Sequence, residues 1–485
     1  MVSVVWRHQT RSARFGDAKR VALAVTSAHM TRVNQVRLVI LGGGPAGNMC
    51  ASVAATLGAD VTLVERDVVA GAAHLWDCIP SKTMIATGGE LTELRRAHAM
   101  GLQADGRLDL DALRERVIEI EERIHRDIVR LLESQQVRLL RGSGRFKDAH
   151  HVVVETVDRL EEIEADFVVV ATGSRPRIPD FAAVDGERIL TTRECYPPAE
   201  LPEHMIVVGS GVTGVELTHM FDAVGSKVTL VVSRQQVLPL KDPEVAAVLE
   251  EEFLRREVAL LKGARANEIR RDGDAVHVTC DDGRRVVGSH VVLAVGSIPN
   301  SEDLALDAAG VAVDERGCIP IDHHCRSNVK NVYAAGDVSG KLPLSSVASM
   351  QGRKIAEHVM GLHNRPHRHL DYEKAASAIF TDPEIADVGL AEAEAFAAGR
   401  KIRVTKVPFS ANPKAHITGD PRGFVKILSD PATGVVLGGS IVGRSAAELV
   451  SVLAVAVTNG LEVGDIVDSL LVHPALAESL ADAAS

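Results

Sequence analysis

One local pattern occurs twice in this chain, and it restricts the fold more than any other feature. An apolar, β-branched run at residues 36–41 ends in Gly42-Gly43-Gly44-Pro45-Ala46-Gly47. A helix-compatible stretch follows, and then the strand-like Val61-Thr62-Leu63-Val64-Glu65. The order returns at residues 205–208, at Gly209-Ser210-Gly211-Val212-Thr213-Gly214, in a second helix-compatible stretch, and at residues 228–232. Each half also has a later strand ending in a small-residue turn: residues 167–171 run into Thr172-Gly173, and residues 291–295 into Gly296. Strand, glycines, helix and strand in this register form a βαβ unit that cradles a diphosphate. The first glycine allows the turn, the second lets the backbone approach the phosphates, and the third packs helix on strand. Unpaired N–H groups and the macrodipole at the helix start favour the anion. Gly42, Gly44 and Gly47, with Pro45 and Ala46 between them, form one such site; Gly209, Gly211 and Gly214 form the other. The predicted fold class is α/β, with two nested Rossmann-like dinucleotide-binding units and a C-terminal α/β domain.

The two sites differ at one position. Glu65 lies 21 residues past Gly44 and ends the second strand, where a carboxylate hydrogen-bonds an adenosine ribose. Val232 lies 21 residues past Gly211 and takes the acid's place. Without that carboxylate the second site has no reason to reject a 2′-phosphate, and Ser233 and Arg234 follow directly to contact one. The donor is then NADPH, with NADH the alternative. Arg234 reads equally well as a solvated surface charge.

At 485 residues, 46% of them hydrophobic, the chain is long enough for about three domains. A formal net charge of −11 argues against nucleic acid as the main partner. The six cysteines show no C-x-x-C and no zinc-type spacing, so no metal is expected and the thiols read as reduced and cytosolic. No apolar run reaches the roughly 18 residues of a membrane span, and the expected location is the cytoplasm, with no integral membrane association. Residues 1–33 carry six Arg or Lys and a single acid, Asp17. They are expected to be a disordered tail or a start assigned too early, ahead of Met30, with a targeting segment as the rival reading.

The expected units are 34–172 with 297–366 for the first nucleotide site, 173–296 for the second, and 367–485 for the third domain. A charged amphipathic helix is expected at 108–133, another helix at 345–360, and a linker at Pro366. In the last domain, strands are expected near 377–380, 404–408, 423–428 and 435–442, and helices at 446–459 and 463–470.

Four further segments carry a family resemblance. Cys78-Ile79-Pro80-Ser81-Lys82, Ala171-Thr172-Gly173, Asn331-Val332-Tyr333-Ala334-Ala335-Gly336-Asp337 and Phe380-Thr381-Asp382-Pro383-Glu384-Ile385-Ala386 together resemble the flavoprotein disulfide reductases, the family of lipoamide dehydrogenase and glutathione reductase. The resemblance runs over nearly the whole chain from residue 36. It implies FAD in the first unit, with Thr172 and Gly173 crossing near it and Asp337 on its ribitol chain. It implies NAD(P) in the second unit, electron relay between the two, and a homodimer built through the last domain. It places Lys82 beside flavin N5, paired with Glu216. A cation there favours hydride arrival, and the carboxylate keeps the ammonium oriented; a mere surface ion pair is the rival reading. The helix near 345–352 would direct its positive end at the flavin pyrimidine. His473-Pro474-Ala475-Leu476-Ala477-Glu478 resembles the His–Glu dyad that, in relatives, comes from the partner subunit and acts as base for the attacking thiol.

The chain departs from the family at Ala73, which stands where the attacking cysteine of the redox pair would be. Cys78 aligns with the flavin-facing thiol and has no resolving partner. It is expected either as a thiolate, lowered in pKa by nearby positive charge, or as an inert buried thiol. His473 is left either to protonate a reduced acceptor or as a packing remnant. With one paired cysteine gone, the chain resembles lipoamide dehydrogenase-like quinone reductases. The expected activity is FAD-dependent NAD(P)H dehydrogenation, with electrons passing directly to a quinone-like acceptor. The rivals are a soluble pyridine nucleotide transhydrogenase, a single-cysteine peroxidase or coenzyme A-disulfide reductase that cycles Cys78, and a flavin-bound redox sensor or docking subunit.

Overall fold

In the computed structural model, which describes residues 35–362 and 370–485, the strand Arg37–Leu41 lies at the centre of a five-stranded parallel sheet. The order is Val332–Ala334, Phe167–Val170, Arg37–Leu41, Asp60–Glu65 and Arg138–Arg141. Leu38, Val39, Ile40 and Leu41 are all buried, as a run covered on both faces must be. The edge strand Val332–Ala334 comes later in the chain than a complete second sheet. That sheet is also parallel, in the order Ala259–Lys262, Lys227–Val232, His204–Val208, His290–Leu293 and Ile189–Leu190. The chain enters and leaves this insertion side by side, with Ser174–Pro176 paired antiparallel to Ser297–Pro299.

Six helices position the site: α1 (Pro45–Thr56), α2 (Ile79–Arg96), α3 (Leu110–Ser134), α4 (Val212–Ala223), α5 (Pro243–Arg255) and α6 (Ser345–Val359). The expected charged amphipathic helix is α3, and its start is fixed by Asp109, whose carboxylate accepts from the Ala112 N–H at 3.0 Å. Two glycines let helices meet closely. A Cβ at Gly352 of α6 would lie 2.1 Å from the Ala46 carbonyl of α1, and one at Gly88 of α2 would lie 2.8 Å from the Ala223 Cβ of α4.

The C-terminal part is a five-stranded antiparallel sheet ordered Ser377–Ile379, Glu384–Gly389, Val436–Gly443, Phe424–Ser429 and Arg403–Pro408. Helix Ala446–Asn459 packs on it through Val450, Leu453 and Val457. The strand Glu384–Gly389 is an addition to the sequence-based expectation, as are two three-stranded antiparallel sheets within 143–164 and 266–288. The helix expected at 463–470 ends at Val467. Just beyond it, the Ser469 hydroxyl donates to the Asp465 carbonyl at 2.8 Å and competes with helical bonding. The N-terminal tail and the Pro366 linker lie outside the described residues. Among the described residues no helix is long and apolar enough to cross a membrane.

One apolar cluster reaches across all three regions. It contains Met84 of α2, Val215 and Phe221 of α4, Leu230 of the second sheet, and Ile379, Ile385 and Phe424 of the third. Burial of each such large side chain contributes about 1.5–3 kcal/mol. This shared core brings Lys82, Glu216 and Phe380 together.

Candidate active site between the two nucleotide loops

The two glycine loops are geometric copies. Gly42 has φ +104 and Gly209 φ +113, and a Cβ on either would sit 2.3 or 2.2 Å from the carbonyl oxygen of Ala171 or Ala294. A Cβ on Gly47 or Gly214 would lie 1.9 or 1.8 Å from the carbonyl of its own first glycine. The protein's packing therefore demands the first and third glycines. It does not demand the middle ones: a Cβ on Gly44 would approach nothing closer than 4.0 Å, and one on Gly211 would meet nothing within 4 Å. Room has been left there for something that is not protein. Helices α1 and α4 both start on those middle glycines, with no side-chain cap and no acid in the first turn. Open amides beside open space fit a dinucleotide diphosphate.

Around the first loop, Glu65 accepts from the Gly43 N–H at 2.6 Å and from the Asp67 N–H at 2.8 Å. A carboxylate so held still has lone pairs for ribose hydroxyls. The Thr172 hydroxyl donates to the Asn300 carbonyl at 2.7 Å, and Gly173 turns the chain at φ +67. Asp337 accepts from the Ser174 hydroxyl at 2.6 Å, so the 172–174 turn and Asp337 form one assembly. The neighbouring Gly336 N–H donates to Gln351 of α6 at 2.7 Å. In the second unit Val232 is fully buried, while Ser233 and Arg234 are exposed at the strand end.

The sheets bring Lys82 of α2 and Glu216 of α4 to 2.7 Å, with side chains 29% and 9% exposed. This is not a surface pair. The second Glu216 oxygen accepts from the Phe380 N–H at 2.9 Å, and the Lys82 ammonium stands 5.1 Å from the Phe380 ring centroid. Cation–π attraction at such a distance adds to the ion pair. Phe380, although part of a quoted motif, was not anticipated as a site residue, because a backbone N–H leaves no mark in sequence.

Cys78 ends a π-helical turn, Ala73–Cys78, that runs directly into α2. Of the two expectations for Cys78, its surroundings favour the buried thiol over the lowered thiolate. Burial raises its pKa and outweighs Lys82, with Glu216 and Asp77 adding to the rise. Asp77, also unanticipated, faces Thr192 at 3.5 Å and Arg193 at 3.7 Å. Burial lifts its carboxyl above the usual range against the pull of Arg193. His473 Nδ1 lies 2.7 Å from Glu478, with the His473 side chain 70% exposed. The Glu478 carboxyl is held low by the Ala475 N–H and by His473. Among the described residues, no hydrogen bond or ion pair joins this dyad to Cys78, Lys82 or Glu216, and no group of three or more His, Cys, Asp or Glu is placed to hold a metal.

Most of the chain is similar to known proteins. Residues 36–352 match the model of a family described as pyridine nucleotide-disulphide oxidoreductase, and residues 375–484 match that family's dimerisation domain. An NAD(P)H dehydrogenase (quinone) of Mycobacterium tuberculosis H37Rv is 42% identical over 461 residues, covering 92% of this chain and 93% of its own. A dihydrolipoyl dehydrogenase of Haloferax volcanii is 35% identical over 456 residues, covering 92% and 95%. The crystal structure of LpdA from Mycobacterium tuberculosis superposes with a TM-score of 0.88 at 41% identity, covering 93% of this chain and 99% of that one.

Proposed function

The chain belongs to the pyridine nucleotide-disulphide oxidoreductase family, and from that premise we propose that it is an NAD(P)H dehydrogenase that passes electrons through FAD directly to a quinone-type acceptor. When bound, FAD supplies the two-electron relay between nicotinamide and acceptor. The observation that carries this reading is the pairing of Ala73 with an intact Lys82–Glu216–Phe380 arrangement. The hydride-accepting side keeps its fixed cation. The acceptor side has lost the thiol that disulfide exchange requires.

Each group then has a physical task. Gly42, Gly44, Pro45, Ala46 and Gly47 present α1 amides to the FAD diphosphate, Glu65 binds its ribose, and Thr172, Gly173 and Asp337 line the remainder. Gly209, Gly211 and Gly214 do the same for NADPH or NADH, with Ser233 and Arg234 at the 2′ position. Lys82 places positive charge where negative charge accumulates, and Glu216 keeps it there. Cys78, whose pKa burial raises and which has no second thiol, is given no covalent part. The proposed assembly is a homodimer through residues 375–484, in which the exposed His473–Glu478 pair is presented to a second copy. A planar acceptor needs access to the isoalloxazine face and a proton, and neither depends on a thiol adduct. The name of the mycobacterial relative supports this acceptor class.

The test is anaerobic reduction of the purified protein with NADPH or NADH, followed by menadione, lipoamide, thio-NAD or hydrogen peroxide. Menadione is expected to reoxidise the protein rapidly, and this activity is expected to survive in Cys78→Ala within about twofold. Rapid reoxidation by lipoamide would overturn the reading, and menadione activity lost with Cys78 would show an essential thiol.

A further inference from the structure

We propose that the turn Phe380-Thr381-Asp382 is the positioning element of the hydride-transfer site, holding Lys82 and Glu216 in register through two separate attachments. The first attachment is at Phe380. Its N–H takes the Glu216 oxygen that Lys82 does not use, at 2.9 Å, and its ring lies against the Lys82 ammonium at 5.1 Å. The second is two residues on, where the Asp382 carboxylate receives three guanidinium groups: Arg96 at 2.8 Å, Arg256 at 2.6 Å and Arg422 at 2.5 Å.

The origin of those arginines gives the arrangement its meaning. Arg96 is the last residue of α2, the helix that carries Lys82. Arg256 caps α5, donates also to the Asp382 carbonyl at 2.7 Å, and lies 3.2 Å from His219 Nδ1 on α4, the helix that carries Glu216. Helix α2 is thus linked to this turn at two points directly, and α4 at one point directly and at a second through Arg256. One is the Lys82–Glu216–Phe380 contact, and the other is the arginine–Asp382 cluster. The close packing of α2 on α4 already limits their movement; the second link adds a polar constraint at the other end of α2. Asp382 is only 22% exposed, and the same arginines also pair with Glu252 and Asp420, so the whole network carries a desolvation penalty. A cluster of that kind is weak evidence for stability and better evidence for a specified geometry.

The inference rests on the reading that Lys82 serves the flavin, and the test separates the two. The midpoint potential of bound FAD is measured by dye equilibration, together with FAD content and thermal midpoint, in Lys82→Met, Asp382→Asn, Phe380→Leu and Phe380→Tyr. Lys82→Met is expected to shift the oxidised/reduced equilibrium toward oxidised flavin by tenfold or more, about 30 mV for a two-electron couple. Asp382→Asn and Phe380→Leu are expected to shift it the same way by about threefold, and Phe380→Tyr, which keeps the ring, to restore it. If Lys82→Met leaves the potential unmoved, the flavin role of Lys82 falls, and the proposal with it. If Lys82→Met moves the potential while Asp382→Asn and Phe380→Leu do not, the turn is only a structural joint and the proposal alone is overturned. Should Asp382→Asn fail to fold, Phe380→Leu, which leaves the arginine cluster in place, decides the matter.

Discussion

His219 shows how one side chain on α4 registers its surroundings. It is 2% exposed, and Arg256 donates toward its Nδ1 from 3.2 Å. Burial, followed by the charge of Arg256, lowers its pKa from 6.5 to about 4. The unfolded chain binds the proton below about pH 6.5, whereas the folded chain waits until about pH 4. Stability is therefore complete above about pH 6.5 and declines as pH falls toward about 4, by on the order of 3 kcal/mol in all. His219→Gln is expected to flatten that decline, measured as the difference in urea midpoint between neutral and mildly acidic buffer. An undiminished difference in the variant would assign the acid lability elsewhere. At this scale the sequence was readable where a residue type is itself the signal. The glycines, Glu65, Lys82 and Asp337 could be named because family motifs carry them, and the loss of a thiol at Ala73 is visible by inspection. Phe380 was not readable, since it acts through a main-chain N–H, and for Cys78 the sequence left two readings open, since the choice depends on the balance of burial against a cation.

Helices and strands were legible to the extent that burial imposed a pattern. The parallel strands Arg37–Leu41, Phe167–Val170 and His204–Val208 are covered on both faces and, past Arg37 and His204, read as unbroken apolar runs. The strand Leu160–Glu164 alternates between exposed and half-buried positions, with glutamates at three of its five, and so gave no strand signal. The π-helical turn Ala73–Cys78 was equally silent, because six residues cannot establish a period. Helix contacts yield a sharper test. Gly352 lets α6 lie against α1, and Gln351 beside it holds the Gly336 N–H next to Asp337. Gly352→Ala would drive a methyl to 2.1 Å from the Ala46 carbonyl. The strain should cost about 1–3 kcal/mol and displace the α1 amides that receive the diphosphate, so a lower thermal midpoint and substoichiometric FAD are expected. Gly89→Ala is the control: a Cβ there meets nothing within 4 Å, and in mid-helix the change should stabilise by up to about 1 kcal/mol. Equal FAD content in Gly352→Ala and the parent would mean that α1 tolerates the shift.

The whole molecule depends on how the inserted unit is seated on the C-terminal sheet, and a buried lysine marks that seat. In the strand Phe424–Ser429, simple alternation would send Lys426 to solvent, yet its side chain is 1% exposed. The face it occupies is covered by the start of α5. Its ammonium meets Asp242 at 2.7 Å, Glu244 at 2.5 Å and Glu392 at 3.0 Å. Burial would lower its pKa, but Asp242, Glu244 and Glu392 together raise it, so the lysine stays charged. Asp242 also accepts from the Ala393 N–H at 3.1 Å, and the neighbouring Lys241 pairs with Asp387 at 2.7 Å. No sequence pattern announces such a cluster, because its members lie in three separate segments and become neighbours only when the insertion docks. Removing the cation leaves the buried Asp242 carboxylate beside the half-buried Glu244 and Glu392, with Lys406 still paired to Glu244 at 2.7 Å. Lys426→Met is accordingly expected to cost about 3–5 kcal/mol, the usual penalty for breaking one side of a buried pair, seen as a lower denaturant midpoint. Adding Asp242→Asn should recover part of that loss by relieving the repulsion, a coupling that a double-mutant cycle measures directly. Additive losses in the double variant would mean that the carboxylates are held apart without the lysine, and that this cluster does not couple the two units.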